Sequence, residues 1–344
     1  MVLGGFLVRG RERSQRNTDQ VVESGLQWHP ALYAGSAPYY AVGRVSYPIA
    51  LAEALAEQLG LDGSGRLLDV GCGPGSLTLL LAPWFEQTTG VDADRDMLAE
   101  AKRLELRASG IARRRTEEDG AEAFFPLRAT TTAADSKRDA RAAQESAHSG
   151  VRNIEWLHLR AEELPAGLGQ YRVISFAQSF HWMDQLLVAR AALTMLEDAG
   201  ACVHVHATTH QGGDTEAVLP HTRPPRSAID ELVERYLGPA SRRGKGFLSP
   251  DKAHREDEVY RAAGFNGPQR IDVPGQVVER TSDQIVAGIF SLSSSTPHLF
   301  GERREAFEAD LRRLLRDANP KGIFSEQMRG IAVDIWRAAA VGTR

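Results

Sequence analysis

The segment LLDVGCGPG, residues 67–75, restricts this chain to a small set of folds. It reads as a short strand over 66–70 that ends on an acidic residue. The chain then passes through Gly71, Gly73 and Gly75 into a helix over 76–81 and a second strand over 88–92. Glycines let the backbone turn tightly and come close to a ligand. Strand patterns recur at 154–159, 172–176 and 201–206, with helical periods between them at 97–104 and 184–196, and alternation of this kind builds a parallel sheet covered by helices. A helix over 49–59, stopped by Gly60, leads in, and Asp94 is placed to cap the helix after the second strand.

Four segments follow from the pattern. Residues 1–65 form an N-terminal arm, expected to be mobile up to about 17, and lid helices with crowded aromatics. Residues 66–207 form the core, residues 208–268 a cap with helices at 227–237 and 250–263, and residues 269–344 the strands and helices that complete the sheet. In the last segment, strands are expected at 269–273 and 328–336, with helices at 282–290 and 302–316. Within the core, residues 107–150 are charged and poor in apolar side chains, which reads as a flexible insertion entering a strand start, away from the strand ends where such sheets bind ligands.

Charge and cysteine content exclude several classes. Lys and Arg number 41 against 45 Asp and Glu, so no bulk field holds a polyanion or a membrane surface, and nucleic acid is not expected as a partner. Two cysteines, Cys72 and Cys202, make neither a disulfide framework nor a four-cysteine zinc site. The first residues place a short apolar run before the arginines, the reverse of a secretory signal, and no stretch reaches membrane-span length; a cytoplasmic, soluble protein is expected. Oligomeric state has no signature in the sequence.

A glycine turn followed by an acid at the end of the second strand also occurs in dinucleotide-binding enzymes. Here the spacing is G-x-G-x-G, and Pro74 removes a backbone N–H that a pyrophosphate would use. Asp69, immediately before the glycines, would repel pyrophosphate yet favour a ligand carrying ammonium and sulfonium charges. Asp92 can accept ribose hydroxyls.

With LLDVGCGPGSLTLLLA, GVDADRDMLAEAKR, RAEELP and VISFAQSFHWMD in this order, the chain resembles the class I S-adenosylmethionine-dependent methyltransferases. Within them it resembles the small-molecule group that includes ubiquinone-pathway and trans-aconitate-type enzymes. The resemblance implies an α/β Rossmann-like fold, a seven-stranded mostly parallel sheet with helices on both faces and a helical cap. It also implies S-adenosyl-L-methionine as cofactor, leaving as S-adenosyl-L-homocysteine. Gly71, Cys72, Gly73 and Gly75 would then lie along its methionine and ribose portions, with Asp69 supporting them. Asp92 would hold the ribose, Ala93 and Met97 would meet the adenine face, Ala161 and Glu162 its polar edge, and Ala177 and Gln178 the methionine end. Arg160 departs from the acidic residue many relatives carry there, and Glu162 is the candidate to replace it.

Methyl transfer from a sulfonium is an in-line displacement that chiefly requires positioning and exclusion of water. An oxygen acceptor must also lose a proton, for which a histidine suits. His181, past the fourth strand, is the first candidate base and His210 the second. Trp28, Tyr40, Phe180 and Trp182 are candidates for an aromatic wall and Arg44 for an acidic substrate. His204 and His206 share a strand face, but no carboxylate follows at a diagnostic spacing, so no metal is expected. Two other functions compete with transfer to a small molecule: an NAD(P)-dependent oxidoreductase, and a binding or assembly protein that keeps the fold without turnover.

Overall fold

Five parallel strands, β1 (Arg66–Val70), β2 (Gln87–Asp92), β3 (Ile154–His158), β4 (Tyr171–Ala177) and β5 (Leu196–His206), make up most of a seven-stranded sheet in the computed structural model. The sheet is completed by β6 (Phe265–Val273) and β9 (Ile331–Ala338), in the order β3-β2-β1-β4-β5-β9-β6. Only β9 runs against the rest, pairing antiparallel with β5 and β6. The structure describes residues 29–117, 153–214, 218–239 and 256–339. The arm up to residue 28, the bulk of the expected insertion, and residues 250–255 of an expected helix lie outside them.

Side chains alternate across the strands and divide the core in two. Leu67, Val173, Val203 and Val333 face one layer, where α2 (Ile49–Leu59) and α3 (Ser76–Leu81) add Leu51, Leu55, Leu77 and Leu81. Leu68, Ile174, Phe176 and Cys202 face the other, where α5 (Gln185–Thr194) and α7 (Glu256–Ala263) add Val188, Ala192 and Tyr260. Local chemistry sets the helix ends. Gly60 takes the left-handed conformation that ends α2 (φ 60°), and Asp184 accepts the Leu187 N–H at the start of α5. Asp94 accepts the N–H groups of Asp96 and Met97 at the start of α4 (Arg95–Glu117). That helix continues through residues 107–117, so the first part of the expected insertion is helical.

A third apolar cluster stands apart from the sheet. It joins α6 (Arg226–Leu237), α8 (Ser282–Phe290), α9 (Pro297–Phe300) and α10 (Arg304–Ala318) through Ile229, Val233, Ile285, Phe290, Phe300 and Phe307. The helices after residue 269 therefore pack with α6 and not on the sheet. Beside them β7 (Val277–Thr281) and β8 (Ile323–Gln327) form an antiparallel pair the sequence pattern missed. α1 (Ala37–Gly43) docks on α8: Ser36 Oγ donates to the Phe290 carbonyl at 2.9 Å, and a Cβ on Gly43 would stand 2.2 Å from the Ala287 carbonyl carbon. No helix among the described residues is long and apolar enough to cross a membrane.

Candidate functional site

Strand order changes direction between β1 and β4, and in an open α/β sheet a crevice forms where two neighbouring strands send their connections to opposite sides. A cleft open to solvent lies at the carboxyl ends of these strands. Its floor is the glycine loop. Gly71 and Cys72 both donate backbone N–H groups to the Val91 carbonyl, at 2.8 and 3.0 Å, which pins the loop to β2. Gly71 and Gly75 have positive φ and no room for a side chain, since a Cβ would stand 2.4 Å from Ser179 Cβ and from Trp156 Cη2 respectively. At Gly73 (φ 55°) a Cβ would meet nothing within 4 Å, so this backbone faces open cleft.

Two carboxylates border the loop and differ in their partners. Asp92 Oδ2 accepts the Gly73 N–H at 2.7 Å and Oδ1 the Asp94 N–H at 2.8 Å, leaving further lone pairs on both oxygens. Burial raises its pKa to about 6, against the lowering effect of those N–H groups. Asp69 is 1% exposed and accepts hydroxyls from Thr78 at 2.5 Å and Ser175 at 2.7 Å. Burial raises its pKa as well, so a cation in the cleft would stabilise its charged form.

The other expected cofactor contacts are brought together here: Cys72, Ala93, Met97, Ala161, Glu162, Ala177 and Gln178 all line the cleft. Two are already engaged. Glu162 accepts the Asp184 N–H at 3.1 Å and pairs with Arg160 at 3.3 Å, and the Gln178 amide donates to the Val205 carbonyl at 3.3 Å. Gln178 has φ 58°, rare outside glycine, which turns the chain from β4 into the cleft wall. Burial pushes the Cys72 thiol well up, with Asp92 and Asp69 adding to it, so Cys72 is no nucleophile.

Tyr40, Arg44 and Trp182 also line the cleft, together with Tyr33 and Tyr47 from the crowded aromatics of the expected lid, and with Thr209, which the sequence did not single out. Arg44 stacks over Tyr40, 4.6 Å from the ring centroid, and donates to Ser291 Oγ at 2.8 Å and the Ser291 carbonyl at 3.0 Å. Burial raises the pKa of the Tyr33 and Tyr47 hydroxyls, with Tyr40 adding to both, so they remain protonated donors. Trp182 is 8% exposed and its Nε1 has no partner in hydrogen-bond geometry. The Tyr33 ring stands edge-on to it, with centroids 6.3 Å apart and the hydroxyl close by.

Three expectations need correction. Phe180 is fully buried and stacks on Tyr260 with centroids 5.0 Å apart; it belongs to the core and not to the cleft wall. Neither His181 nor His210 lines the cleft. Burial lowers the His181 pKa to about 4. Burial also takes His210 to about 3, helped by Arg44, Arg226 and Arg280, and His210 Nδ1 lies 3.5 Å from Arg44 Nη1 behind the wall. Both are far from the near-neutral range in which a general base works best. Trp28 lies outside the described residues.

Residues 46–265 match a family described as a methyltransferase domain. Among solved structures, a proposed type II methyltransferase from Anaeromyxobacter dehalogenans is 20% identical (TM-score 0.43), the alignment covering 86% of this chain and 97% of that one. The YcgJ protein of Bacillus subtilis is 16% identical (TM-score 0.42), with 85% and 99% covered. An S-adenosylmethionine-dependent methyltransferase from Thiobacillus denitrificans, in complex with S-adenosyl-L-homocysteine, is 13% identical (TM-score 0.42), with 90% and 99% covered. No curated protein matches the chain.

Proposed function

This chain belongs to the methyltransferase-domain family, and from that membership we propose that it transfers the methyl group of S-adenosylmethionine to a small-molecule acceptor bound between Trp182 and the Tyr33–Tyr47 segment. The observation that carries the reading is the juxtaposition, in one cleft, of an open glycine backbone at Gly73 and the Asp92 carboxylate beside an aromatic wall. The residues fit the cofactor: the cleft runs along the glycine loop to the aromatic wall, and Asp92 retains lone pairs for ribose hydroxyls. Asp69 supplies negative charge on the methionine side. When bound, S-adenosylmethionine supplies an electrophilic methyl group on a sulfonium.

The chain's own residues then have separable tasks. Gly71, Cys72 and Gly73 offer backbone to the methionine and ribose portions, with Gly75 setting the turn. Ala93 and Met97 cover the adenine, Ala161 and Glu162 meet its edge, and Ala177 and Gln178 close the methionine end. Tyr40 and Trp182 present π-faces that favour a sulfonium, and the Arg44 guanidinium selects an acceptor with an anionic or strongly polar group. With His181 and His210 outside the cleft, the rate rests on alignment and exclusion of water, which suits an acceptor atom that is already a good nucleophile. We read 66–207 as the cofactor-binding core, with the 208–268 segment and the N-terminal lid shaping the acceptor end.

Calorimetric titration with S-adenosylmethionine, S-adenosylhomocysteine and NADPH in parallel tests the reading. Binding of the two S-adenosyl ligands and not of NADPH is expected, and NADPH binding alone would overturn it.

A further inference from the structure

His204 and His206 alternate onto the same sheet face as Cys202 and Trp336, and folding brings them the carboxylate that sequence spacing did not offer. Glu256, in the first turn of α7, places Oε2 3.5 Å from His204 Nε2 and 4.0 Å from His206 Nδ1. One ligand atom from each of the three residues lies within 4.8 Å of the others. The second nitrogen of each ring faces a supporting group. His206 Nε2 is 2.9 Å from Asp334 Oδ2, and His204 Nδ1 is 3.5 Å from the Tyr260 hydroxyl. Asp334 is itself fixed by a two-point ion pair with Arg270, at 2.7 Å on each oxygen.

This arrangement is poorly explained as hydrogen bonding alone. With the proton of neutral His206 on Nε2, donated to Asp334, its Nδ1 is left as an acceptor 4.0 Å from Glu256 Oε2, and when that carboxylate is ionised two acceptors stand side by side. Among the described residues no donor reaches the Glu256 carboxylate at a good hydrogen-bond distance, although that side chain is only 12% exposed. The spacings suit a shared cation. Bonds of about 2.0–2.2 Å to nitrogen and oxygen around a tetrahedral ion put neighbouring ligand atoms roughly 3.3–3.5 Å apart. The Glu256–His204 edge is already at that spacing, and the other two edges reach it by closing about 0.5 Å and at most about 1.5 Å, within the reach of side-chain rotation.

We propose that His204, His206 and Glu256 bind one divalent transition-metal ion, zinc foremost, with Asp334 and Tyr260 orienting the two imidazoles from behind. Two imidazoles and one carboxylate are a donor set for zinc and its neighbours and not for calcium or magnesium. His206, at 34% exposed, leaves a solvent-side path for the ion and for a water as fourth ligand. None of the three ligands lines the cofactor cleft. The ion would staple α7 to β5, and through the buried Phe180 ring, 5.4 Å from His204, it would brace the segment that carries Trp182.

The test is titration of tag-free, chelator-treated full-length protein with Co²⁺, followed by its visible absorption, then displacement by Zn²⁺. The expected result is one equivalent of cobalt with the intense bands of a tetrahedral site, reversed by zinc, and a rise in Tm of the wild type with zinc. Glu256→Gln and His206→Ala should each abolish the bands while the metal-free far-UV spectrum stays that of the wild type. Asp334→Asn should weaken binding by roughly 10- to 100-fold, as loss of a carboxylate behind a metal-bound histidine does. Absence of stoichiometric cobalt binding, or bands that survive both ligand variants, would overturn the assignment and leave a proton shared among the three groups.

Discussion

The Trp156 ring occupies the space that a side chain at Gly75 would need, its Cη2 lying 2.4 Å from where a Gly75 Cβ would stand. The same ring fills the space over Gly90, at 2.6 Å. Glycine at these positions serves packing, whereas glycine at Gly73 serves the cleft. Gly75→Ala should therefore destabilise the fold by about 1–3 kcal/mol from overpacking, plus backbone strain of about 1–2 kcal/mol at its positive φ. Gly73→Ala should carry the strain alone and lose S-adenosylmethionine affinity, because its methyl group projects into the cleft. Urea unfolding and calorimetry on both variants separate the two; equal loss of stability would refute the distinction.

Asp92 links that loop to pH. Its pKa, raised by burial to about 6, means that the ligand-free protein binds more protons here than the unfolded chain between the usual carboxylate range and about 6. Its contribution to stability is therefore greatest at low pH and is lost as pH rises through about 6. Cofactor affinity should move the opposite way, since the ionised carboxylate is the better acceptor for ribose hydroxyls, and should fall as pH drops below about 6. Asp92→Ala should cost at least about 10-fold in affinity and remove this pH dependence. An Asp92→Ala protein with wild-type affinity would exclude the carboxylate from the site.

Much of this architecture was legible in the residues, for physical reasons that can be named. The apolar period and the left-handed Gly60 delimit α2, and the Thr281–Gln284 capping box delimits α8, at the ends the pattern predicts. The β7–β8 pair escaped because the inward side of β7 alternates Val278 with a buried arginine, Arg280, and binary patterning reads a charge as outward. The lining of the cleft along the glycine loop was readable because the residues expected there sit at strand ends with fixed spacing. The acceptor side was not, because the Phe180–Trp182 turn decides which of three adjacent rings faces the cleft, and it turns Trp182 inward and His181 away.

Trp182 offers a test of the acceptor side. Its Nε1 is buried without a partner in hydrogen-bond geometry, and such a donor is costly until a ligand satisfies it. Trp182→Phe removes the donor and keeps most of the ring, so the ligand-free protein should be as stable as the wild type or more so. KM for the acceptor, or Kd for the cofactor, should rise about fivefold, the equivalent of about 1 kcal/mol. Whichever constant moves identifies the ligand that Nε1 meets, and a variant in which neither moves would place that group outside the reaction.

The two histidines predict a negative result. His181 and His210 stand outside the cleft with pKa values lowered by burial to about 4 and about 3, and neither is poised to take a proton near neutrality. Each alanine variant should hold kcat within about threefold of the wild type, and the pH–rate profile should keep its shape. A tenfold or larger fall in kcat for His181→Ala, with cofactor affinity unchanged, would restore it as the base.

Stability of the acceptor side rests on Glu326, which is 5% exposed and receives Arg226 at 2.7 Å and Arg280 at 3.1 Å. Arg280 in turn donates to the carbonyls of Gly43 at 2.6 Å and His210 at 2.7 Å, so one carboxylate anchors the lid helix, the loop after β5 and the β7–β8 pair. Burial alone would raise the Glu326 pKa, but Arg226, the Gly212 N–H and Arg280 outweigh it and hold the group below its usual 4.5. A carboxylate depressed in this way contributes stability above its unfolded pKa, and that stability is lost as pH falls through the folded value. Glu326→Gln leaves the buried Arg280 and the partly exposed Arg226 without their counter-charge and should cost up to about 3–5 kcal/mol at neutral pH. The deficit should narrow in acid, where the wild-type carboxylate is itself neutral. Denaturant unfolding of both proteins at pH 7.5 and in acid measures this directly, and a deficit that stays constant with pH would show that the glutamate acts by packing rather than by charge.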